Sequence, residues 1–131
     1  MLKEDFEALV EKAIANLPEE FRERLENVDI FVEDWPTRDQ MAESGIKHKG
    51  GLLGLYEGIP VTERGHNYNL VLPDRITIFQ KPVESVCSTP SETQEEVEHV
   101  LLHEIGHYFG FSEEQLVPIE EKWRKTRGRK P

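Results

Sequence analysis

Leu2, Phe6, Leu9, Val10, Ala13, Ile14 and Leu17 recur every three or four residues with acids and lysines between them, which is the period of an amphipathic helix. Pro18 interrupts this pattern, and residues 19–27 resume it as a short helix with Phe21 and Leu25 on one side. Both helices are expected to cover a sheet. Val28, Ile30 and Val32 then alternate with Asp29, Phe31 and Glu33, a strand with one inward face that Trp35 and Pro36 close. Residues 37–43 predict a brief helix ending at Gly45. Residues 50–59 predict a glycine-interrupted strand, and 75–79 a short β-branched and aromatic one stopped by Pro82. Thr89, Pro90 and Glu92 are helix-start signals, and Val97, Val100, Leu101, Ile105 and Phe109 carry a long helix to Gly110, a residue suited to a left-handed terminus.

The chain has 131 residues, enough for one domain, and 26 acids against 16 bases give a formal charge of −10. This disfavours nucleic acid as the main partner. Six of the bases (Lys122, Arg124, Lys125, Arg127, Arg129 and Lys130) fall within the last ten residues, leaving ten bases against 26 acids and a charge of −16 before them. The expected organisation is therefore an acidic domain over residues 1–121 and a basic, frayed C-terminal tail over 122–131. No apolar run approaches the roughly 20 residues of a membrane span, and Lys3, Glu4, Asp5 and Glu7 stand where a signal peptide would be apolar. A cytoplasmic protein without membrane contact is expected. The single cysteine, Cys87, cannot form an internal disulfide and reads as an ordinary small side chain.

The chemistry lies in His103-Glu104-Ile105-Gly106-His107. Four residues are close to one helical turn, so His103 and His107 project from the same face and can grip one metal ion. Imidazole suits zinc, and Glu104, about 100° around the helix, flanks the pair as a general base for an activated water. A third ligand is needed. Glu113, six residues past His107 and beyond the glycine, is the first candidate and Glu114 the nearest substitute, while Glu120 and Glu121 lie past Pro118. A capping explanation competes, because Ser112 with Gln115 resembles a capping box and the acids at 113 and 114 suit the start of a following short helix. His99, one turn before His103, fits a supporting or solvated role better than ligation, since a turn rises 5.4 Å and one ion cannot easily bind the first and third of three histidines so spaced while also taking the middle one.

The motif helix, together with Leu17-Pro18-Glu19-Glu20-Phe21, Leu52-Leu53-Gly54-Leu55-Tyr56-Glu57-Gly58 and Leu72-Pro73-Asp74-Arg75-Ile76-Thr77, resembles the minimal zincin-like metallopeptidase family of small bacterial proteins. The resemblance covers roughly residues 1–118. It implies a compact α+β domain with a small mixed sheet packed on the motif helix, with zinc as the metal. It further implies His103 and His107 as ligands, Glu104 as catalytic base, and a peptide or protein substrate lying as an added strand along an edge, either 75–79 or 51–56. The family typically has Asp where this chain has Glu113. Neither the methionine turn of larger metzincins nor an acid beyond Glu121 is present.

Two other functions remain open on the sequence. One is a different zinc hydrolase such as a ribonuclease, with the basic tail on RNA, although such helices generally lack the glutamate after the first histidine. The other is a metal-stabilised binding module without catalysis. For a peptidase, Tyr68, His66 and Tyr108 are the candidate oxyanion donors, and so small a cleft suits an unfolded substrate.

Overall fold

The computed structural model describes residues 1–58 and 74–128. Its elements run α1 (Lys3–Ala15), α2 (Glu19–Arg24) with a 3₁₀ turn at Leu25–Asn27, β1 (Asp29–Glu33), α3 (Arg38–Ser44), a second 3₁₀ turn at Lys49–Gly51, β2 (Gly54–Glu57), β3 (Arg75–Phe79), α4 (Gln80–Ser85), α5 (Pro90–Tyr108) and α6 (Glu113–Gly128). The three strands form a mixed sheet of order β1-β3-β2, in which β1 runs parallel and β2 antiparallel to β3. This is the α+β architecture expected from the sequence. The central place of β3 fits its composition, since Ile76, Thr77, Ile78 and Phe79 are all fully buried. Among the described residues, the strand at 75–79 therefore offers no free edge, and of the two expected docking edges β2 is the one at the border of the sheet.

The motif helix α5 is the hub. Sheet strands β2 and β3 lie against one side of it, and α1, α2 and α6 against others. Val97, Leu101, Leu102 and Ile105 are almost wholly buried and share one core with Phe6, Val10 and Ala13 of α1, Phe21 of α2 and Ile76 and Ile78 of β3. The two N-terminal helices thus pack chiefly on α5 rather than serving as covers of the sheet. Helix α5 therefore buries apolar side chains on more than one face, while His99, His103 and His107 stay only partly covered.

Both ends of α5 are set by local chemistry. Thr89 Oγ1 accepts from the Glu92 N–H at 3.1 Å, with Pro90 at the first helical position. At the other end Gly110, at φ 83°, is left-handed; its N–H donates to His107 O, and the Phe111 N–H donates to Gly106 O, each at 2.9 Å. These paired bonds turn the chain back on itself. Ser112 and Gln115 then exchange side chain to backbone bonds of 2.8 and 3.2 Å, so the expected capping box starts α6.

Helix α6 is longer than the short helix expected after Ser112. Residues 122–128 continue the helix and Trp123 is buried in the core cluster, while residues 129–131 of the expected tail lie outside the described residues. Pro118 sits inside the helix without ending it. The helix can lie this close to α5 because residue 106 is glycine: a Cβ there would collide with the fully buried Leu116. Substituting Gly106→Ala should improve helix propensity by about 1 kcal/mol but cost about 1–3 kcal/mol in overpacking, a net loss of roughly 1 kcal/mol. Urea denaturation should show this loss, and in a double-mutant cycle with Leu116→Ala the alanine at 106 should become neutral or stabilising; additive effects would refute the steric account.

Candidate metal centre

His103 and His107 stand one turn apart on α5 with ring centroids 4.7 Å apart. Their Nε2 atoms face the same carboxylate oxygen, Oε1 of Glu113, at 3.2 and 3.0 Å respectively. Ligand and cap are therefore not alternatives for this segment. Ser112 and Gln115 satisfy the helix start, which leaves the Glu113 carboxylate to turn toward the histidines. It is Glu113, not Glu114, that reaches both rings.

Glu104 is almost fully buried between α5 and β2. Its Oε1 accepts the Tyr56 N–H at 2.9 Å and lies 3.5 Å from His107 Nδ1. Donor atoms of His103, Glu104 and His107 all fall within 4.8 Å of one another. On the far side of His103, Glu120 Oε1 sits 2.8 Å from Nδ1 and also 3.0 Å from His99 Nε2. Its place past Pro118 made Glu120 a poor candidate on sequence alone. The spacing that reveals it is 113 to 120: seven residues are close to two helical turns, so both acids project from one face of an unbroken α6.

This donor set fits zinc. Two imidazoles and a carboxylate are a familiar hydrolytic trio, and bonds of 2.0–2.1 Å in a tetrahedron place neighbouring donors about 3.3 Å apart, close to both Glu113 distances. A cleft of about 460 Å³ opens over these groups. Leu52, Leu53, Gly54 and Leu55 form one wall, Val100 and the histidines the other, and Ser44 and Ile46 close one end. Gly54 leaves no room for a side chain, since a Cβ would strike Val100, which keeps β2 tight against α5.

The remaining sequence candidates separate clearly. Tyr108 is buried edge-on against Tyr56, with ring centroids 5.8 Å apart, and does not line the cleft. Tyr68 and His66 lie outside the described residues. Burial pushes the Cys87 thiol up, consistent with an unreactive side chain. Among the described residues, no helix is long and apolar enough to cross a membrane.

A histidine pair with its intervening glutamate, on a helix beside the edge strand of a small mixed sheet, is the arrangement of a zincin-like domain. The family model described as zincin-like metallopeptidase matches residues 25–123, and the chain belongs to that family. Among solved structures it is similar to a conserved hypothetical protein from Thermo thermophilus, at 26% identity and a TM-score of 0.52, over 83% of this chain and 94% of that one. No curated protein matches the sequence significantly.

Without a metal, the carboxylates around His107 hold a proton on its ring. The hydrogen bond to Glu104, with further help from Glu113, raises the His107 pKa to about 9 against the opposing effect of burial. Burial works against the charge on Glu113, but its hydrogen bond from His107 and the nearby His103 outweigh this and leave its carboxyl below the usual range. The raised histidine contributes stability in full below its ordinary 6.5, and this is lost as pH rises through about 9. Chelator-treated protein should therefore lose urea resistance across that window. His107→Gln should flatten the decline, and an unchanged slope in the variant would contradict the assignment.

Proposed function

We propose that this protein is a zinc-dependent peptidase with His103, His107 and Glu113 as metal ligands and Glu104 as general base. One observation carries the reading: both Nε2 atoms converge on a single Glu113 oxygen inside a cleft whose wall is a sheet edge. Zinc held there supplies Lewis acidity to a substrate carbonyl and lowers the pKa of a water molecule.

The protein groups divide the remaining work. Glu104 takes the proton of the attacking water and passes it to the leaving amine, so its carboxylate must be fixed and dry. Its burial and the Tyr56 N–H meet both needs. The substrate lies extended beside β2. Leu53 O accepts from Phe79 N–H on the sheet side, and the Tyr56 N–H turns to the opposite side. Alternation then puts the Gly54 N–H and C=O on that outer side as well, where a peptide backbone can pair with them. Apolar walls at Leu52, Leu53 and Val100 favour a hydrophobic side chain in the substrate. A narrow cleft reached only by an extended chain favours flexible or unfolded polypeptide.

Zinc analysis and cleavage assays on a denatured protein and on RNA test this reading. Glu104→Gln should keep one zinc per chain and lower peptide cleavage about 10²–10⁴-fold. Retained cleavage in the variant would remove Glu104 from the mechanism. RNA cleavage would favour the ribonuclease alternative, zinc without hydrolysis of either would favour a binding module, and absence of zinc would end the metal reading.

A further inference from the structure

Glu120 has no place in the cleavage chemistry, yet it is the acid most firmly built into the far side of His103. Its side chain is only 12% exposed, against 70% for Glu113. Its Oε1 stands between two imidazoles, 2.8 Å from His103 Nδ1 and 3.0 Å from His99 Nε2. His99 is itself restrained, stacked on the buried Trp123 ring at 5.7 Å with the planes 14° apart. Its other nitrogen, Nδ1, lies 3.7 Å from Glu96 Oε1. A connected line therefore runs from Trp123 through His99 and Glu120 to His103, and ends at the Nε2 that faces Glu113.

We propose that Glu120 is a positioning residue that selects the His103 tautomer with its proton on Nδ1, with His99 and Trp123 holding the carboxylate in place. A neutral imidazole carries one proton, and a carboxylate at Nδ1 accepts it there. Nε2 is then left with its lone pair directed into the cleft. The same bond fixes the ring plane and makes Nε2 a stronger donor to a metal. The opposing arrangement, with Nε2 protonated, would block that atom and set two lone pairs against each other across the shorter, more buried 2.8 Å contact, whereas the Nδ1–H form leaves the longer 3.2 Å contact to the exposed Glu113 without a proton. Helix α6 thus supplies one carboxylate to each ring nitrogen of His103: Glu113 on the metal side and Glu120 behind. This assignment rests on the zinc-ligand role of His103 for its functional meaning, but the tautomer itself is a property of the metal-free chain.

Two readouts test it. The nitrogen chemical shifts of neutral His103, measured by NMR on chelator-treated protein, should report Nδ1–H in the wild type and a mixture or the Nε2–H form in Glu120→Ala. Zinc affinity from competition with a chromogenic chelator should fall about 10–100-fold in that variant. Glu120→Gln, whose amide oxygen can still accept the Nδ1 proton, should retain the wild-type tautomer and recover part of the affinity; it also serves if the alanine variant folds poorly. His99→Phe, which keeps a ring against Trp123 but removes the bond to Glu120, should give a smaller loss in the same direction. Exposed Glu121→Ala should change neither readout. A wild-type tautomer in Glu120→Ala would overturn the proposal, as would unchanged zinc affinity in that variant. Failure of the wild type to bind zinc would instead refute the ligand reading, with the NMR result still deciding the role of Glu120.

Discussion

The contact on which the site depends is the approach of α6 to the motif helix at Gly106. Leu116 fills the space that a side chain at 106 would occupy. Its burial fixes the separation of the two helices, and the Gly110 turn fixes their relative direction. Both acids of α6 that reach the histidines inherit their positions from this packing. Glu113 precedes Leu116 by three residues and Glu120 follows it by four, so one apolar contact sets carboxylates on either side of it along the same helix face. An interior glycine weakens a helix, and here that weakness is exchanged for proximity.

A second close approach does the corresponding work on the opposite wall. Gly54 lets β2 lie against Val100, which brings the Tyr56 N–H within reach of Glu104. The backbone of the edge strand thus orients the proposed base while its neighbouring groups remain available to a substrate. Under the proposed function, substrate docking and base positioning would be coupled through one short strand, because anything that shifts β2 moves the donor that holds Glu104.

Much of this was legible in the sequence, and the parts that were not have physical causes. Spacing alone located α5, its cap and terminal glycine, and the pairing of His103 with His107, because these are local properties of a helix. Strand 75–79 was found in its full extent, but its central position was not, since strand order follows from long-range pairing that a short apolar run does not encode. The sequence suggests only a short helix after Ser112, with Glu120 and Glu121 set apart by Pro118. Proline there removes one backbone donor, yet burial of Leu116 and Trp123 on either side carries the helix through. The unbroken helix is what brings Glu120 to His103, a placement that spacing across Pro118 does not suggest.

The charge of the chain takes on local meaning at this centre. Glu104, Glu113 and Glu120 surround His103 and His107, so three carboxylates face two imidazoles that are neutral in their ordinary state. Grouped anions of this kind repel one another unless positive charge lies between them. The raised pKa of His107 shows the metal-free chain meeting that requirement with a proton. A divalent cation would meet it more fully and would have to displace that proton, so that under the proposed metal reading metal and proton would compete for the same position among the carboxylates. Held in place by the packing of α6 on α5, the carboxylates would thus favour a cation at the histidines in the proposed reading, through the mutual repulsion that a positive charge between them relieves.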